Sequence, residues 1–221
     1  EAGFSGGGVY STTARINIAN TQFLENTNDG LGAGLFAERI TLSITDSLFV
    51  GNVNNGTHGG GFSIAKAEAT ILRSQFYRNV AGSNGGGASF RNYILEEDIA
   101  EAEADPLLAM ENSAFYQQYS TQIPGFRETL VAQPSGAFQA IKLEIQIHDS
   151  CFAGNVTHFP GDPNWTSAIS GVSFAQNNYY GDPSGPGGMG PGSGDMVGKS
   201  IQFAPFLTVP PAHCDLTLAK P

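Results

Sequence analysis

The segment Asp46-Ser-Leu-Phe49-Val-Gly-Asn52 decides the fold, because close copies of it recur along the chain at a regular spacing. The copies are Asn20-Thr-Gln-Phe23-Leu-Glu-Asn26, Arg73-Ser-Gln-Phe76-Tyr-Arg-Asn79 and Asp149-Ser-Cys-Phe152-Ala-Gly-Asn155, with a weaker one at Asn112-Ser-Ala-Phe115-Tyr-Gln-Gln118. The first three phenylalanines are 26 and 27 residues apart. A fixed period of this length is typical of repeat architectures, in which each repeat forms one structural unit.

A glycine motif repeats in phase with the phenylalanine segment. Its copies are Gly6-Gly-Gly8, Gly32-Ala-Gly34, Gly59-Gly-Gly61 and Gly85-Gly-Gly87. Between the two motifs lies a short run of alternating apolar and polar residues, such as Leu42-Ser43-Ile44, which predicts a half-buried β-strand. Because two different motifs keep the same period, the repeat reflects structure and not composition.

The repeat predicts a right-handed parallel β-helix, an all-β solenoid of about six coils with two insertions. A period of 26 or 27 residues is too short for a propeller blade, which needs about 40, and the chain is too poor in leucine for a leucine-rich repeat. We expect a single domain over residues 1–221, with regular coils in 1–90, the last coils in 136–180 and an irregular C-terminal cap in 181–221. The insertions are placed at 91–111 and 119–135, where the phenylalanine spacing stretches to 39 and 37 residues.

Stacked coils place equivalent side chains in ladders. The core ladder is predicted to contain the repeated aromatic residues Phe23, Phe49, Phe76, Phe115, Phe152 and Tyr180. The corner ladder is predicted to contain Asn26, Asn52, Asn79 and Asn155. We expect each of these asparagines to adopt the left-handed backbone conformation, which asparagine tolerates, and to hydrogen-bond along the stack.

The composition limits the possible partners. The formal net charge is −10, which argues against nucleic acid, because phosphate binding needs a basic face. No apolar run approaches the roughly 20 residues that span a bilayer, so no membrane span is predicted, and no cofactor is predicted either. Cys151 and Cys214 are either a disulfide that ties the tail to the last coils or two separate thiols, and an extracellular setting favours the disulfide.

The first coil contains Val9, Ile16 and Phe23 and follows closely on the glycine turn at Gly6. An uncovered solenoid end exposes unpaired backbone groups and an open apolar core. We therefore expect upstream residues or another chain to cover this coil.

The paired-glycine and Phe-x-x-Asn motifs, such as Gly60-Gly61-Phe62 and Gly86-Gly87-Ala88, resemble the repeats of chlamydial polymorphic outer-membrane proteins and other bacterial adhesin-like β-helix proteins. The segment Asn178-Tyr-Tyr-Gly-Asp-Pro-Ser-Gly-Pro186, with Gly194-Asp195 and Pro205-Phe206-Leu207, is similar to the closing motif of secreted bacterial β-helix domains, which usually carry tryptophan where this chain has Tyr179 and Tyr180. The resemblance implies an exported protein that is extracellular, at the cell surface or periplasmic. It does not select a function, because such domains serve as adhesins, spacers, lyases and passenger domains.

The outward strand positions favour binding over catalysis. A β-helix lyase, epimerase or hydrolase needs clustered carboxylates with arginine, lysine or histidine on one outward face, and no column of the predicted stack collects several aspartates. His148 beside Asp149 is an acid–base candidate, but adjacent strand residues are expected to point to opposite faces. We therefore predict no catalytic residue and no metal ligand.

The predicted function is an extracellular structural or binding module, adhesin-like or a subunit of a surface assembly, whose partner is a protein or a carbohydrate. A polysaccharide lyase or epimerase is the alternative. Candidate contact residues are aromatic side chains in the irregular parts of the chain, although packing against the solenoid also explains them: Tyr116, Tyr119, Phe126 and Trp165. The acidic segment 96–105 lacks the spacing of a calcium loop and is predicted to be a solvated helix or loop.

Overall fold

The structure is a computed structural model that describes residues 5–12, 15–38, 40–65, 67–91, 145–157, 169–170, 173–198 and 201–220. Over these residues the chain forms short β-strands, numbered in chain order, and one short 3-10 helix, η1 (Leu216–Ala219). Every strand pairs with its neighbours in parallel, and the strands assemble into four sheets.

Sheets 1 and 2 are the two largest. Sheet 1 contains, in spatial order, β1 (Val9–Thr12), β5 (Leu35–Glu38), β9 (Phe62–Ala65), β13 (Ala88–Arg91), β17 (Ile169–Ser170), β20 (Gly194–Val197) and β19 (Pro186–Gly188). Sheet 2 contains β2 (Arg15–Ala19), β6 (Thr41–Thr45), β10 (Glu68–Leu72), β14 (Ile145–His148), β18 (Ser173–Phe174) and β21 (Ile201–Gln202).

Sheets 3 and 4 are built from shorter strands. Sheet 3 contains β3 (Gln22–Leu24), β7 (Leu48–Val50), β11 (Gln75–Tyr77) and β15 (Cys151–Ala153). Sheet 4 contains β4 (Thr27–Asn28), β8 (Val53–Asn54), β12 (Val80–Ala81) and β16 (Val156–Thr157).

Successive strands along the chain belong to different sheets, and each strand pairs with the equivalent strand of the next coil. Phe23 on β3 is the partner of Phe49 on β7, and Phe49 is the partner of Phe76 on β11. The chain is thus a parallel β-helix, as the repeat predicted. Connections that return to a parallel strand of the same sheet are right-handed in nearly all proteins.

Stacked aromatic rings form the centre of the core. The ring centroids are 4.5 Å apart between Phe23 and Phe49, 4.9 Å between Phe49 and Phe76, and 4.8 Å between Phe76 and Phe152. Tyr180 continues the stack, with its centroid 5.8 Å from that of Phe152. The core ladder therefore runs through the described coils, with isoleucine, leucine and alanine columns from sheets 1 and 2 packed beside it.

The ladder differs from the prediction at Phe115. Phe152 lies directly against Phe76, and β14 pairs directly with β10, so no rung for Phe115 exists between them. Phe115 itself is outside the described residues. The chain passes from β13 to β14 through residues 92–144, which are outside the described residues, so the insertions placed at 91–111 and 119–135 stay predictions.

The asparagine ladder lies at the turn between sheets 3 and 4. The Nδ2 groups of Asn26, Asn52 and Asn79 donate to the Oδ1 atom of the asparagine one coil on, at 2.8, 2.8 and 2.9 Å. The backbone N–H of each donates to the same oxygen at 3.1 Å. In this way one side-chain oxygen satisfies two donors of the coil above it, and buried polar groups are paired as burial requires.

The predicted left-handed conformation of these asparagines is wrong. The residue with positive φ is the one before each asparagine: Glu25 (52°), Gly51 (61°), Arg78 (51°) and Gly154 (72°). The preceding residue makes the tight turn, which leaves the asparagine free to direct its amide along the stack. Because glycine adopts positive φ without strain, it occupies two of the four turn positions.

A second polar ladder lies at the turn between sheets 2 and 3. The backbone N–H groups of Thr21, Ser47 and Ser74 donate to the hydroxyl oxygen of the serine one coil on, at 3.2, 3.3 and 3.0 Å. The last rung changes chemistry, because the N–H of Ser150 donates to Oδ1 of Asn178 at 2.9 Å. The serine that precedes Phe49, Phe76 and Phe152 by two residues is therefore a structural position.

The last glycine of each glycine motif allows close stacking of backbones. A Cβ atom at Gly8 would lie 2.6 Å from the carbonyl oxygen of Gly34, and equivalent collisions arise at Gly34 and Gly61 with the next glycine along the stack. The first glycines of the motif, by contrast, have positive φ, for example 60° at Gly32.

The first coil is the least enclosed part of the described stack. Each of β1, β2, β3 and β4 is the terminal strand of its sheet among the described residues. Ile16 and Ile18 are half-buried, whereas their partners Leu42 and Ile44 are fully buried. That upstream residues or another chain cover this coil stays a prediction.

Candidate functional site

The outward side of sheet 2 is a mainly polar surface, which we name the outer face. Because side chains alternate along a strand, the apolar residues of β6 and β10 point into the core and the intervening ones point outward. The parallel register aligns the outward residues into a central column: Asn17, Ser43, Thr70, Gln146, Phe174 and Gln202. At about 4.8 Å per strand, this column is about 24 Å long.

The outer face combines small polar side chains with one exposed aromatic ring. Thr70 and Gln146 are exposed, and Phe174 leaves 38% of its surface accessible. On one flank, Arg15 is aligned with Thr41 and Glu68. Such a surface offers hydrogen-bond donors and acceptors at a regular spacing, which suits an extended ligand.

Charged residues line the turn that borders the outer face, and we name this group the charged corner: Asp46, Arg73, His148 and Asp149. The Nε and Nη2 groups of Arg73 each donate to one oxygen of Asp46 at 2.7 Å, one coil apart. This bidentate bond lowers the pKa of Asp46 and raises that of Arg73. Because both groups are well exposed, the pair contributes little to stability.

The structure brings His148 and Asp149 together, contrary to the expectation that they point to opposite faces. Nδ1 of His148 lies 3.0 Å from Oδ2 of Asp149. Asp149 has a φ of 51°, so the strand alternation ends there and the carboxylate turns back towards the ring. The same conformation occurs at Asp46 and Arg73 in the preceding coils, with φ of 49° and 45°.

The outer side of sheet 3 is covered by the end of the chain, residues 210–220, which we name the C-terminal strap. Cys151 on β15 forms a disulfide with Cys214, with the Cα atoms 6.2 Å apart, as the disulfide hypothesis predicted. Leu216 and Leu218 of the strap pack against an apolar stripe that contains Val50 and Tyr77.

Hydrogen bonds hold the C-terminal strap on both sides of this apolar contact. The backbone N–H of Asp215 donates to Oε1 of Gln75 at 2.8 Å, and Nε of Arg78 donates to the carbonyl oxygen of Leu218 at 2.9 Å. Burial under the strap raises the pKa of the Tyr77 phenol. The strap therefore ties three coils of sheet 3 together.

The predicted contact residues are not among those that the structure describes. They are Tyr116, Tyr119, Phe126 and Trp165, and the acidic segment 96–105 is outside the described ranges as well. The repeat pattern did not predict that His148, Asp149 and Arg73 lie together at one corner. The signal was present, because Asp46, Arg73 and Asp149 all occupy the first position of the repeated segment.

Comparisons with known proteins identify no relative. No protein-family model, no curated protein and no solved structure matches the chain. Among the described residues, no helix has the length and apolarity needed to cross a membrane. Function must therefore be inferred from the surface of this chain alone.

Proposed function

We propose that this chain is an extracellular, non-catalytic β-helix module that binds a protein or a carbohydrate, with the outer face as its binding surface. The observation that carries the proposal is the central column of six outward side chains, held at a fixed spacing by the parallel register. Five of these six side chains are neutral and polar. A rigid row of this kind pays little conformational entropy when it binds an extended partner.

Three features support an extracellular position. The disulfide between Cys151 and Cys214 belongs to a class of bond that persists in oxidising compartments. The low content of charged residues, 14%, and the likeness of the repeats to adhesin-like β-helix proteins fit the same setting. An adhesin or a subunit of a surface assembly would present the outer face to its partner.

The charged corner is used mainly within the stack, which supports binding over catalysis. Both carboxylate oxygens of Asp46 are engaged by Arg73, and the carboxylate of Asp149 is engaged by His148. The pair of Asp46 and Arg73 links two neighbouring coils, and the pair of His148 and Asp149 lies within the next one.

The geometry of His148 and Asp149 favours one alternative function, that of a polysaccharide lyase or epimerase. A carboxylate 3.0 Å from Nδ1 fixes the orientation of the imidazole, which a general base needs in order to reach its substrate proton. In that role Nε2 of His148 would remove a proton next to a sugar carboxylate, and Arg73 would neutralise the substrate charge.

A binding survey with matched variants separates the two functions. The purified chain is applied to arrays of bacterial and host polysaccharides and to immobilised extracellular-matrix proteins. We expect at least one ligand to bind, and we expect the double variant Thr70→Arg/Gln146→Arg to lose it, because both positions are exposed at the centre of the outer face. Val156→Arg on sheet 4, where Val156 is 53% exposed, is the control and should bind normally.

Two results would contradict the proposal. Equal loss of binding in the double variant and in Val156→Arg would mean that the outer face is not the binding surface. Release of unsaturated or reducing ends from uronate polysaccharides, abolished by His148→Gln, would establish the enzymatic alternative instead.

A further inference from the structure

Three metal-ligating side chains meet where the C-terminal strap joins sheet 3. They are Cys151, which is buried on β15, and His213 and Cys214 of the strap. One ligand atom of each, the two Sγ atoms and a ring nitrogen, lie within 4.8 Å of one another. Thiolate and imidazole are the ligands that zinc prefers in proteins.

His213 carries an independent sign that its ring is suited to a ligand. Its Nε2 atom is shielded from solvent and has no hydrogen-bond partner among the described residues. A buried polar atom without a partner costs free energy, and a metal ion bound at Nε2 would remove that cost. The disulfide, by contrast, explains the two cysteines but leaves the imidazole unused.

We propose that the reduced chain binds one zinc ion through the thiolates of Cys151 and Cys214 and the imidazole of His213, with solvent at the fourth position. Reduction by a phosphine breaks the S–S bond and gives two thiols, while the phosphine takes up an oxygen atom from water and becomes its oxide. Zinc binding then displaces one proton from each thiol, because the thiolate is the ligand.

The C-terminal strap would then be held on sheet 3 by either of two links, the disulfide or the zinc ion. Under oxidising conditions the disulfide holds residues 210–220 on sheet 3, and under reducing conditions the zinc ion takes its place. In both states the strap covers Val50 and Tyr77, which are buried beneath it. Without the disulfide and without zinc, the contacts that remain among the described residues are the apolar contact and the hydrogen bonds to Gln75 and Arg78.

The test measures zinc binding and strap protection on the same samples. After reduction with a phosphine and removal of small molecules, titration calorimetry with zinc chloride should give one site per chain. His213→Ala should weaken binding by more than about 100-fold, since loss of even an outer-shell partner costs 10–100-fold. Oxidised wild-type chain should not bind, and His148→Gln, which alters an imidazole outside the group, should bind like wild type.

Hydrogen–deuterium exchange supplies the second readout, and it also shows whether the His213 variants fold like wild type. Residues 210–220 should be protected in the oxidised chain and in the reduced chain with zinc, and should exchange quickly in the reduced chain with a chelator. Oxidised His213→Ala and His213→Gln should show wild-type protection, because their disulfide is intact.

Three results would overturn the proposal. They are equal zinc affinity of the oxidised and reduced chains, zinc affinity of reduced His213→Ala and His213→Gln equal to that of wild type, and unchanged exchange of the strap when zinc is added to the reduced chain.

Discussion

Replacing Asp195 with asparagine should remove a pH dependence of stability that the wild-type chain carries. Asp195 ends the asparagine ladder, because its Oδ2 accepts from the backbone N–H of Asn155 at 3.1 Å and from Nδ2 of Asn155 at 2.7 Å. Its Oδ1 accepts from the backbone N–H of Gly154 at 2.8 Å. An aspartate thus occupies the rung where the pattern calls for another asparagine.

Two opposing effects act on this carboxyl group. The residue as a whole is half-buried, but the carboxylate lies beneath the last rung, and its burial raises the pKa of Asp195 from 3.8 to about 6. The donors on Asn155 and Gly154 lower the pKa, and burial outweighs them. Because the folded-state pKa is above the unfolded value, the folded chain takes up a proton more readily than the unfolded chain.

The sign and the size of the effect follow from this difference. The contribution of Asp195 is most favourable below pH 4, where the group is protonated in both states, and it declines as the pH rises through 6. Integrated over the two pKa values, the decline between pH 4.5 and pH 7 is about 2 kcal/mol. In Asp195→Asn the group does not titrate, so the decline is absent, although the bond to Gly154 is lost because only one oxygen remains.

Urea unfolding of both chains at several pH values between 4.5 and 7 measures the effect. The free energy of unfolding of Asp195→Asn minus that of wild type should increase by about 2 kcal/mol over this range. Other carboxylates contribute equally to both chains and cancel in the difference. A difference that is constant with pH, or that decreases as the pH rises, would mean that folding does not raise the pKa of Asp195.

Three further substitutions test the ladders. Phe49→Ala should lower the free energy of unfolding by about 3 to 5 kcal/mol, because a fully buried ring between two others is removed. The control Leu24→Ala, at a position 49% exposed, should lower it far less, and equal losses in denaturant unfolding would contradict the stack of rings. Asn79→Ala should cost more than Asn26→Ala, since Asn79 both donates and accepts along the ladder and its loss leaves buried donors unpaired; thermal unfolding of the two variants makes the comparison. Gly61→Ala should prevent close stacking of the third coil and lower the yield of folded chain, as measured by near-ultraviolet circular dichroism, and a native spectrum at normal yield would contradict the collision.

Much of the fold could be predicted from the sequence because the chain repeats its own structural unit. The period places Phe23, Phe49 and Phe76 in one column without any knowledge of the coil geometry, and the in-phase glycines specify where backbones approach. One feature of the sequence argued against placing Phe115 in the core ladder. Its segment ends in Gln118, whose longer side chain does not match the asparagine of a ladder rung.

The rest depends on backbone geometry that a repeat pattern does not encode. The pairing of His148 with Asp149 arises from one left-handed residue at the end of β14. Asp195 reaches the asparagine ladder from a glycine-rich segment that departs from the period, so its role could not be read from spacing. The meeting of His213 with Cys151 requires the C-terminal strap to lie along sheet 3, a path that the tail sequence does not specify.

The register between β10 and β14 decides whether the outer face exists, because the central column requires Thr70 to lie beside Gln146. In the double variant Thr70→Cys/Gln146→Cys the Cα atoms should be about 4.8 Å apart, within the range of a disulfide. We expect an oxidant to cross-link the pair, as shown by peptide mapping, and expect no cross-link in Ser43→Cys/Gln146→Cys, two strands apart. The absence of a cross-link in the first variant, or its appearance in the second, would mean that β10 and β14 are not neighbouring strands in this register.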